Sequence, residues 1–185
     1  MSTLTVSNLQ GTSSSNNLIN IPSGHSIYSP GGIIQVVQTV KSDTFTTSST
    51  GSWIDITGLS AVITPKKLSS KILMRVTMTI SATPVNVVSA LRLVRDSTAI
   101  GVGDASSARL RATHGGTRGL YDTNGAVSVN MEYLDSPSTL SATTYKVQMY
   151  GWGGATWVVN RMGNDADSAL GPRCISTVTL MEIAQ

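Results

Sequence analysis

The sequence predicts an all-β protein: an antiparallel jelly-roll-like β-sandwich over residues 32–185, preceded by an extended N-terminal arm over residues 1–31. Three observations predict this class. In the stretch KILMRVTMTISA (71–82) every second side chain is apolar, which is the period of a half-buried strand. Similar stretches are separated by the turn signals ITPKK, SATP, DTNG, DSPS and GWGG. Finally, no segment keeps a 3.6-residue apolar period for three turns, and many short strands in one domain favour a sandwich.

The arm is predicted from its composition. GTSSSNN and IPSGHSIYSPGG are dominated by Ser, Asn, Gly and Pro, with only scattered aliphatic residues between them. Such a segment buries little apolar surface on its own domain, so a neighbouring subunit is expected to fix it. The expected anchors on that neighbour are Leu4, Val6, Leu9 and Ile21.

The strands follow in order. IIQVVQTV (33–40) is a near-continuous apolar run rich in β-branched residues, as expected for a strand covered on both faces. In KILMRVTMTISA the Ile, Met and Val side chains should face the core, and the Thr-rich side should face water or another subunit. AVSVNMEYL (126–134) and YKVQMYGW (145–152) alternate in the same way, and ALRLVRD (90–96) and CISTVTLMEI (174–183) do so less cleanly.

Composition narrows the functional class. Charged residues make up 12% of the 185 residues, against a typical figure of about 25%, and the 49 Ser and Thr residues make the surface polar without charge. A net charge of +3 is too small for a dedicated nucleic-acid binder. The sequence shows no signal peptide and no apolar run of the ~18 residues that a membrane helix needs. We therefore expect neither nucleic acid nor a membrane as a partner.

Catalytic residues are scarce. The only histidines are His25, in the arm, and His114, whose HGG context resembles part of an esterase oxyanion loop but lacks the matching GxSxG motif. The only glutamates are Glu132 and Glu182, and nothing in the sequence sets them opposite each other as a glycosidase pair. The expectation is a protein that is not an enzyme.

Metal and cofactor sites are equally poorly supported. The single Cys174 excludes an internal disulfide framework and, with two distant histidines, gives no zinc set. Asp165 and Asp167 in DADSALG could hold calcium loosely, but the stretch lacks the ligand spacing of an EF-hand, and a solvated loop is the simpler interpretation. No cofactor and no metal are expected.

One stretch concentrates positive charge. ARLRATHGGTRG (108–119) carries Arg109, Arg111 and Arg118. Arginines in a loop can bind carboxylates of a partner protein or an acidic glycan in a bidentate manner, and the alternative is a solvated hairpin. Nucleic acid is disfavoured because the stretch has no aromatic residue on which a base could stack.

Two tryptophans near the end of the sandwich form the last candidate. Trp152 and Trp157 lie with Tyr150 in YGWGGATWVV (150–159). They could form a patch on which sugars stack, or they could cap the core, which is the commoner role of aromatic residues on strands.

Three stretches carry a resemblance to a known family: IPSGHSIYSPGGIIQVVQTVKSDTFTT (21–47), LRLVRDSTAIGVG (91–103) and PRCISTVTLMEIAQ (172–185). Together they resemble a β-rich module of structural proteins of tailed bacteriophages, especially cyanophages, often described as tail-fibre-like. MSTLTVSNLQG at the start is similar to the start of such virion proteins. The resemblance implies a jelly-roll-like module similar to the C1q/TNF heads, assembled as a homotrimer on the virion, and no catalytic motif.

The sequence therefore leads to two functional expectations. The first is a trimeric decoration or cement protein on the outer surface of a phage capsid, made in the host cytoplasm and bound through its arm to the major capsid protein or another virion protein. A short arm and one head, without shaft repeats, suit this placement. The alternative is a tail-fibre or head-fibre adhesin that binds host-surface glycan through Trp152, Trp157 or the arginine-rich loop.

Overall fold

The regular secondary structure of the described residues is almost entirely β-strand. The computed structural model describes residues 10–11, 13–15, 18–22, 27, 29–84, 86–118, 122 and 124–185, with residues 15 and 116–118 described by their backbone alone. A 3₁₀ turn at Ser13–Ser15 precedes the strands. The strands are β1 (Ile33–Lys41), β2 (Phe45–Thr47), β3 (Trp53–Ile63), β4 (Lys71–Thr83), β5 (Val88–Arg95), β6 (Thr98–Ile100), β7 (His114–Arg118), β8 (Val127–Asp135), β9 (Thr143–Gly151), β10 (Thr156–Val159) and β11 (Ser176–Ile183). No helix of the described residues has the length and apolar character needed to cross a membrane.

Two antiparallel sheets form a sandwich. In the first sheet β8, β4, β11 and β1 lie side by side in this order. Strand β10 pairs with the C-terminal end of β4, on the same side as β11, and β2 pairs with β10. In the second sheet the order is β3, β9 and β5, with β6 and β7 sharing the far edge of β5. Each sheet is thus four strands wide. Within each sheet, strands from the first half of the chain alternate with strands from the second half, which is the connectivity of a jelly roll. The predicted fold class is confirmed.

The core lies between the inner faces of the two sheets. The five alternate side chains that the sequence assigns to the core are all buried: Ile72, Met74, Val76, Met78 and Ile80. From the second sheet β5 and β9 supply the opposing layer, with Leu91, Leu93, Tyr145, Val147 and Met149. Period-two burial is therefore the main determinant of strand orientation in this chain.

Strand β1 differs from its prediction. It pairs with β11 on one side and is the edge of the first sheet within the described strands. Val37 packs against the core, whereas the side chains of Val36 and Val40 point outward and are exposed. The expectation that IIQVVQTV is covered on both faces is wrong for the single chain, because no described element of this chain lies over its outer face.

A buried asparagine organises the corner where β1 turns into β2. Asn160 is fully buried, and its Nδ2 donates hydrogen bonds to the backbone oxygens of Lys41 (2.8 Å) and Asp43 (2.9 Å). Its side-chain oxygen accepts a hydrogen bond from Ser176 Oγ at 2.6 Å, and its backbone N donates to the oxygen of Thr79. One side chain therefore connects the β1–β2 corner with the start of β11, while its backbone contacts β4.

A buried carboxylate joins the two sheets at their edge. Asp135, at the end of β8, accepts two hydrogen bonds from Arg95 Nη1, at 2.9 and 2.7 Å, and one from the hydroxyl of Tyr145 at 2.7 Å. Arg95 and Tyr145 belong to the second sheet, so the ion pair bridges the sandwich. Burial, reinforced by the neighbouring Asp135 carboxylate, raises the pKa of Tyr145 above its ordinary value. The phenol therefore stays protonated and donates to the carboxylate.

Replacement of this phenol tests the bridge. We expect Tyr145→Phe to lower the free energy of unfolding at pH 7 by about 1–3 kcal/mol, because Asp135 loses a buried donor. Above pH ~10 the unfolded chain releases the tyrosine proton and the folded chain retains it, so the wild type loses about 1.4 kcal/mol per pH unit relative to the variant. The difference between the two proteins should narrow as the pH rises, as measured by denaturant unfolding. Tyr150→Phe on the outer face of β9 is the control, and parallel pH profiles for wild type and Tyr145→Phe would contradict the bridge.

Candidate interaction surfaces

Three aromatic side chains form a continuous patch at one end of the second sheet. Trp53 at the start of β3 pairs in register with Tyr150 near the end of β9, and their rings meet edge to face at 5.5 Å. Tyr150 also contacts Trp152, with ring centroids 4.6 Å apart and planes tilted by 53°. We call Trp53, Tyr150 and Trp152 the aromatic patch. Three of the nine aromatic residues of the chain are thus grouped on an outward face, where core packing does not require them.

A hydrogen-bonded polar array continues from the aromatic patch. Arg92 lies over the Trp53 ring, with its Cζ 4.2 Å from the ring centre, and its Nε donates to the Gln148 side chain at 2.8 Å. Gln148 Nε2 donates to one oxygen of Asp55 at 2.7 Å, and Lys146 Nζ donates to the other at 2.8 Å. Desolvation alone would raise the pKa of Asp55, but these two hydrogen bonds hold it below its usual value. The array is therefore charged and fixed in orientation at neutral pH.

Trp157 does not belong to this surface. It lies on β10, between β4 and β2, and its side chain is fully buried in the core. A Cβ on Gly151 would lie 2.6 Å from the indole Nε1, so the ring fits only because residue 151 is glycine. The expectation that Trp157 contacts a glycan is corrected, whereas Trp152 remains partly exposed.

The three arginines of the predicted basic loop are described to different extents, Arg118 by its backbone alone. Arg111 donates a hydrogen bond from Nε to the backbone oxygen of Gly103 at 2.7 Å and so stabilises its own loop. Arg109 is exposed, and its backbone N closes a turn on Ser106. Arg118 pairs through its backbone with Val88 at the end of β7. Arg109 and Arg111 are both exposed, and the Nε of Arg111 is already used by its own loop.

The arm is described only in part. The predicted anchors Leu4, Val6 and Leu9 lie outside the described residues, whereas Ile21 is described and exposed. Other described aliphatic side chains of residues 1–31 are also exposed: Leu18, Ile19 and Ile27. The arm joins the sandwich where Gly31 donates to the oxygen of Ala184 at 2.7 Å, beside the end of β11. Its described aliphatic side chains thus keep 38–69% of their surface exposed.

The two glutamates are held by separate contacts. Glu132 pairs with Arg75 at 3.2 Å on the outer face of the first sheet, while buried Glu182 accepts a hydrogen bond from the backbone N of Lys66. The two glutamates therefore lie on opposite faces of the same sheet.

The remaining metal candidate is also occupied by other contacts. Asp165 pairs with Arg173 at 2.7 Å and with Arg161 at 3.7 Å, which leaves its carboxylate committed to two guanidinium groups. The part of the chain that the structure describes contains no group of three His, Cys, Asp or Glu residues able to hold a metal ion.

Comparison with known proteins gives a likeness of chain path. The chain is similar to a chain in the structure of infectious bursal disease virus Gt strain, with 12% identity and a TM-score of 0.46 over 91% of this chain. It is also similar to one in the structure of the Gx strain, with 11% identity and a TM-score of 0.42 over 91% of this chain. In both cases the match spans 42% of the viral chain. No family model and no curated protein sequence matches.

Proposed function

We propose that this chain is a non-enzymatic structural protein of a bacteriophage virion, which decorates and cements the outer surface of the capsid as a homotrimer. It is made in the host cytoplasm and binds the major capsid protein or another virion protein. Support comes from the sequence resemblance to phage structural proteins and from a jelly-roll sandwich with exposed apolar side chains on the attached arm.

One observation carries the proposal. The described apolar side chains of the arm, Leu18, Ile19, Ile21 and Ile27, are exposed beside a sandwich that has a complete core of its own. Full burial of an exposed Leu or Ile side chain is worth about 1.5–3 kcal/mol. These four side chains are still 38–69% exposed, so folding of this chain leaves a substantial part of that binding energy unused. A second protein that covers them gains that energy.

The mechanism of a cement protein follows from this arrangement. An arm fixed on one shell subunit and a rigid sandwich resting on the next would link two subunits through one polypeptide. Internal pressure that separates the two subunits would then also have to expose the apolar surface that the arm buries. The low charge of the chain, 12% of residues, keeps electrostatic repulsion from the shell small.

The arm provides the first test of this proposal. We expect the triple variant Leu18→Ser, Ile19→Ser, Ile21→Ser to weaken attachment to capsids that lack the protein by at least tenfold, measured by co-sedimentation. The sandwich should keep its unfolding midpoint, because these side chains are exposed. Leu170→Ser, in an exposed loop of the sandwich, is the matched control and should attach normally. Unchanged attachment of the triple variant, and of a chain without residues 2–22, would refute the cement role.

The aromatic patch favours a second candidate function, a receptor-binding adhesin for host-surface glycan. A pyranose ring has a face of C–H groups that packs on an aromatic ring, and its hydroxyls need both donors and acceptors nearby. Trp152 offers such a ring, and Arg92, Gln148 and Asp55 offer fixed polar groups along the same sheet. Exposed Arg109 would add a positive charge for an acidic glycan.

Trp152→Ala tests the adhesin. If the patch binds glycan, adhesion of the purified protein to host envelope fractions should fall about tenfold, the equivalent of ~1.4 kcal/mol, while attachment to capsids is unchanged. Tyr133→Ala is a suitable control because Tyr133 is 39% exposed and Trp152 38% exposed, but Tyr133 lies on the other sheet. Equal adhesion of wild type and Trp152→Ala, or none by either, would rule out this function for the patch.

A further inference from the structure

An apolar row crosses the outer face of the first sheet. The strand registers place Val36 of β1 beside Met181 of β11, Met181 beside Leu73 of β4, and Leu73 beside Leu134 of β8. All four side chains point away from the core, because each is next along its strand to a side chain that is buried or packed against the core: Val37, Leu180, Met74 and Asp135. We call Val36, Met181, Leu73 and Leu134 the outer apolar row. A second apolar pair, Ile33 and Ile183, lies next to it.

The row is most exposed at its two ends. Val36 is 59% exposed and Leu134 is 42% exposed, whereas Met181 and Leu73 in the middle are half-buried. The two ends belong to β1 and β8, the edge strands of this sheet among the described elements. A continuous apolar run normally belongs to a strand with protein packed on both faces. The inner face of β1 packs against the core, but no described residue of the single chain packs on its outer face.

The edge strand β1 has little protection beyond one bulge near its start. Natural edge strands are usually short, or carry charges, proline or bulges that prevent pairing with other chains. Strand β1 has nine residues, no proline, a bulge near its start and its only charge at the last position, Lys41. Lys41 is buried and turns inward to Asp43 rather than guarding the outer face.

Charge and size suit a second copy of the same chain. The row on one side of the outer apolar row contains Gln38, Thr179 and the ion pair between Arg75 and Glu132, whose opposite charges balance. The row on the other side contains Ile33, Ile183 and Lys71, and this lysine lies at the rim of the face, at the start of β4. Two copies that meet through the outer apolar row therefore bring no like charges together within it. Four strands ~4.8 Å apart, over about eight residues, present roughly 500 Å² of flat face, which is of the order of the ~800 Å² per partner in stable interfaces.

We propose that copies of this chain meet through the outer face of the first sheet, with the β1 end of one row against the β8 end of the row in the next copy. This head-to-tail contact closes into a ring, as cyclic oligomers require. It rests on the homotrimer of the proposed function and specifies the surface that forms it. Val36 of one copy and Leu134 of the next would lie at the same height along the ring axis.

The test compares charged variants of the full-length chain by sedimentation velocity over a range of concentrations. The wild type should be an oligomer. Val36→Glu and Leu134→Lys should each raise the dissociation constant at least tenfold, because each places an unpaired charge in the contact. The double variant should recover most of the affinity, since the introduced carboxylate of one copy would then meet the introduced ammonium group of the next. Within one chain the two positions are three strand spacings apart, about 14 Å, so the introduced charges cannot pair internally.

Val62→Glu is the matched control. Val62 is an exposed strand valine like Val36, 52% exposed, but it lies on β3 of the second sheet. It should leave the oligomer intact, and circular dichroism should show all variants folded because the changed side chains are exposed. A monomeric wild type, or a Val36→Glu variant as associated as Val62→Glu, would overturn the proposal. Failure of the double variant to recover would overturn the β1-to-β8 contact.

Capsid attachment is measured separately, so the two proposals can fail independently. An oligomer that dissociates as expected but does not bind capsids would leave this interface standing and remove the cement function. Attachment by a monomeric wild type would keep the cement role and remove both the homotrimer and this interface.

Discussion

Strand β4 is the element on which the sandwich depends, because β8, β10 and β11 all pair with it. Its inner face supplies five alternate apolar side chains to the core, and a shift of one residue in its register would turn all of them to the outside. The same alternation fixes what the outer face contains. Leu73 and Arg75 must point outward whenever Ile72, Met74 and Val76 point inward. The outer surface of the first sheet is therefore a direct consequence of how the core is built.

The two outer faces of the sandwich have different chemistry. The first sheet presents an apolar row and one balanced ion pair, whereas the second presents the aromatic patch and a hydrogen-bonded array of charged and amide groups. An apolar face favours permanent cover by protein, and an aromatic face edged by fixed polar groups favours a polar ligand that can leave. Self-association through one face and glycan binding through the other are physically compatible in one molecule. The exposed arm adds a third surface suited to a shell subunit.

Much of the fold can be predicted from the sequence, because period-two alternation in β4, β8 and β9 specifies both the strands and their inner faces. Register and neighbours cannot be predicted in this way. Nothing in the local sequence marks Trp53 as a member of a surface patch, because its contact with Tyr150 depends on the pairing of β3 with β9, far away in sequence. Trp157 is close to Trp152 along the chain, which suggests a shared sugar site, but β10 lies between two other strands and buries it. The apolar run of β1 is predicted correctly as a strand. The described part of the chain contains no element that covers the outer face of this strand.

The central claim is that this molecule acts through surfaces that other subunits cover. Electron cryo-microscopy of the intact virion tests it most directly, since it shows both the position of the protein and what touches each face. We predict copies grouped around a threefold axis on the outer surface of the capsid, with the first sheets facing one another and the arm residues against shell protein. Solitary copies whose first sheet and arm both face solvent would contradict the claim.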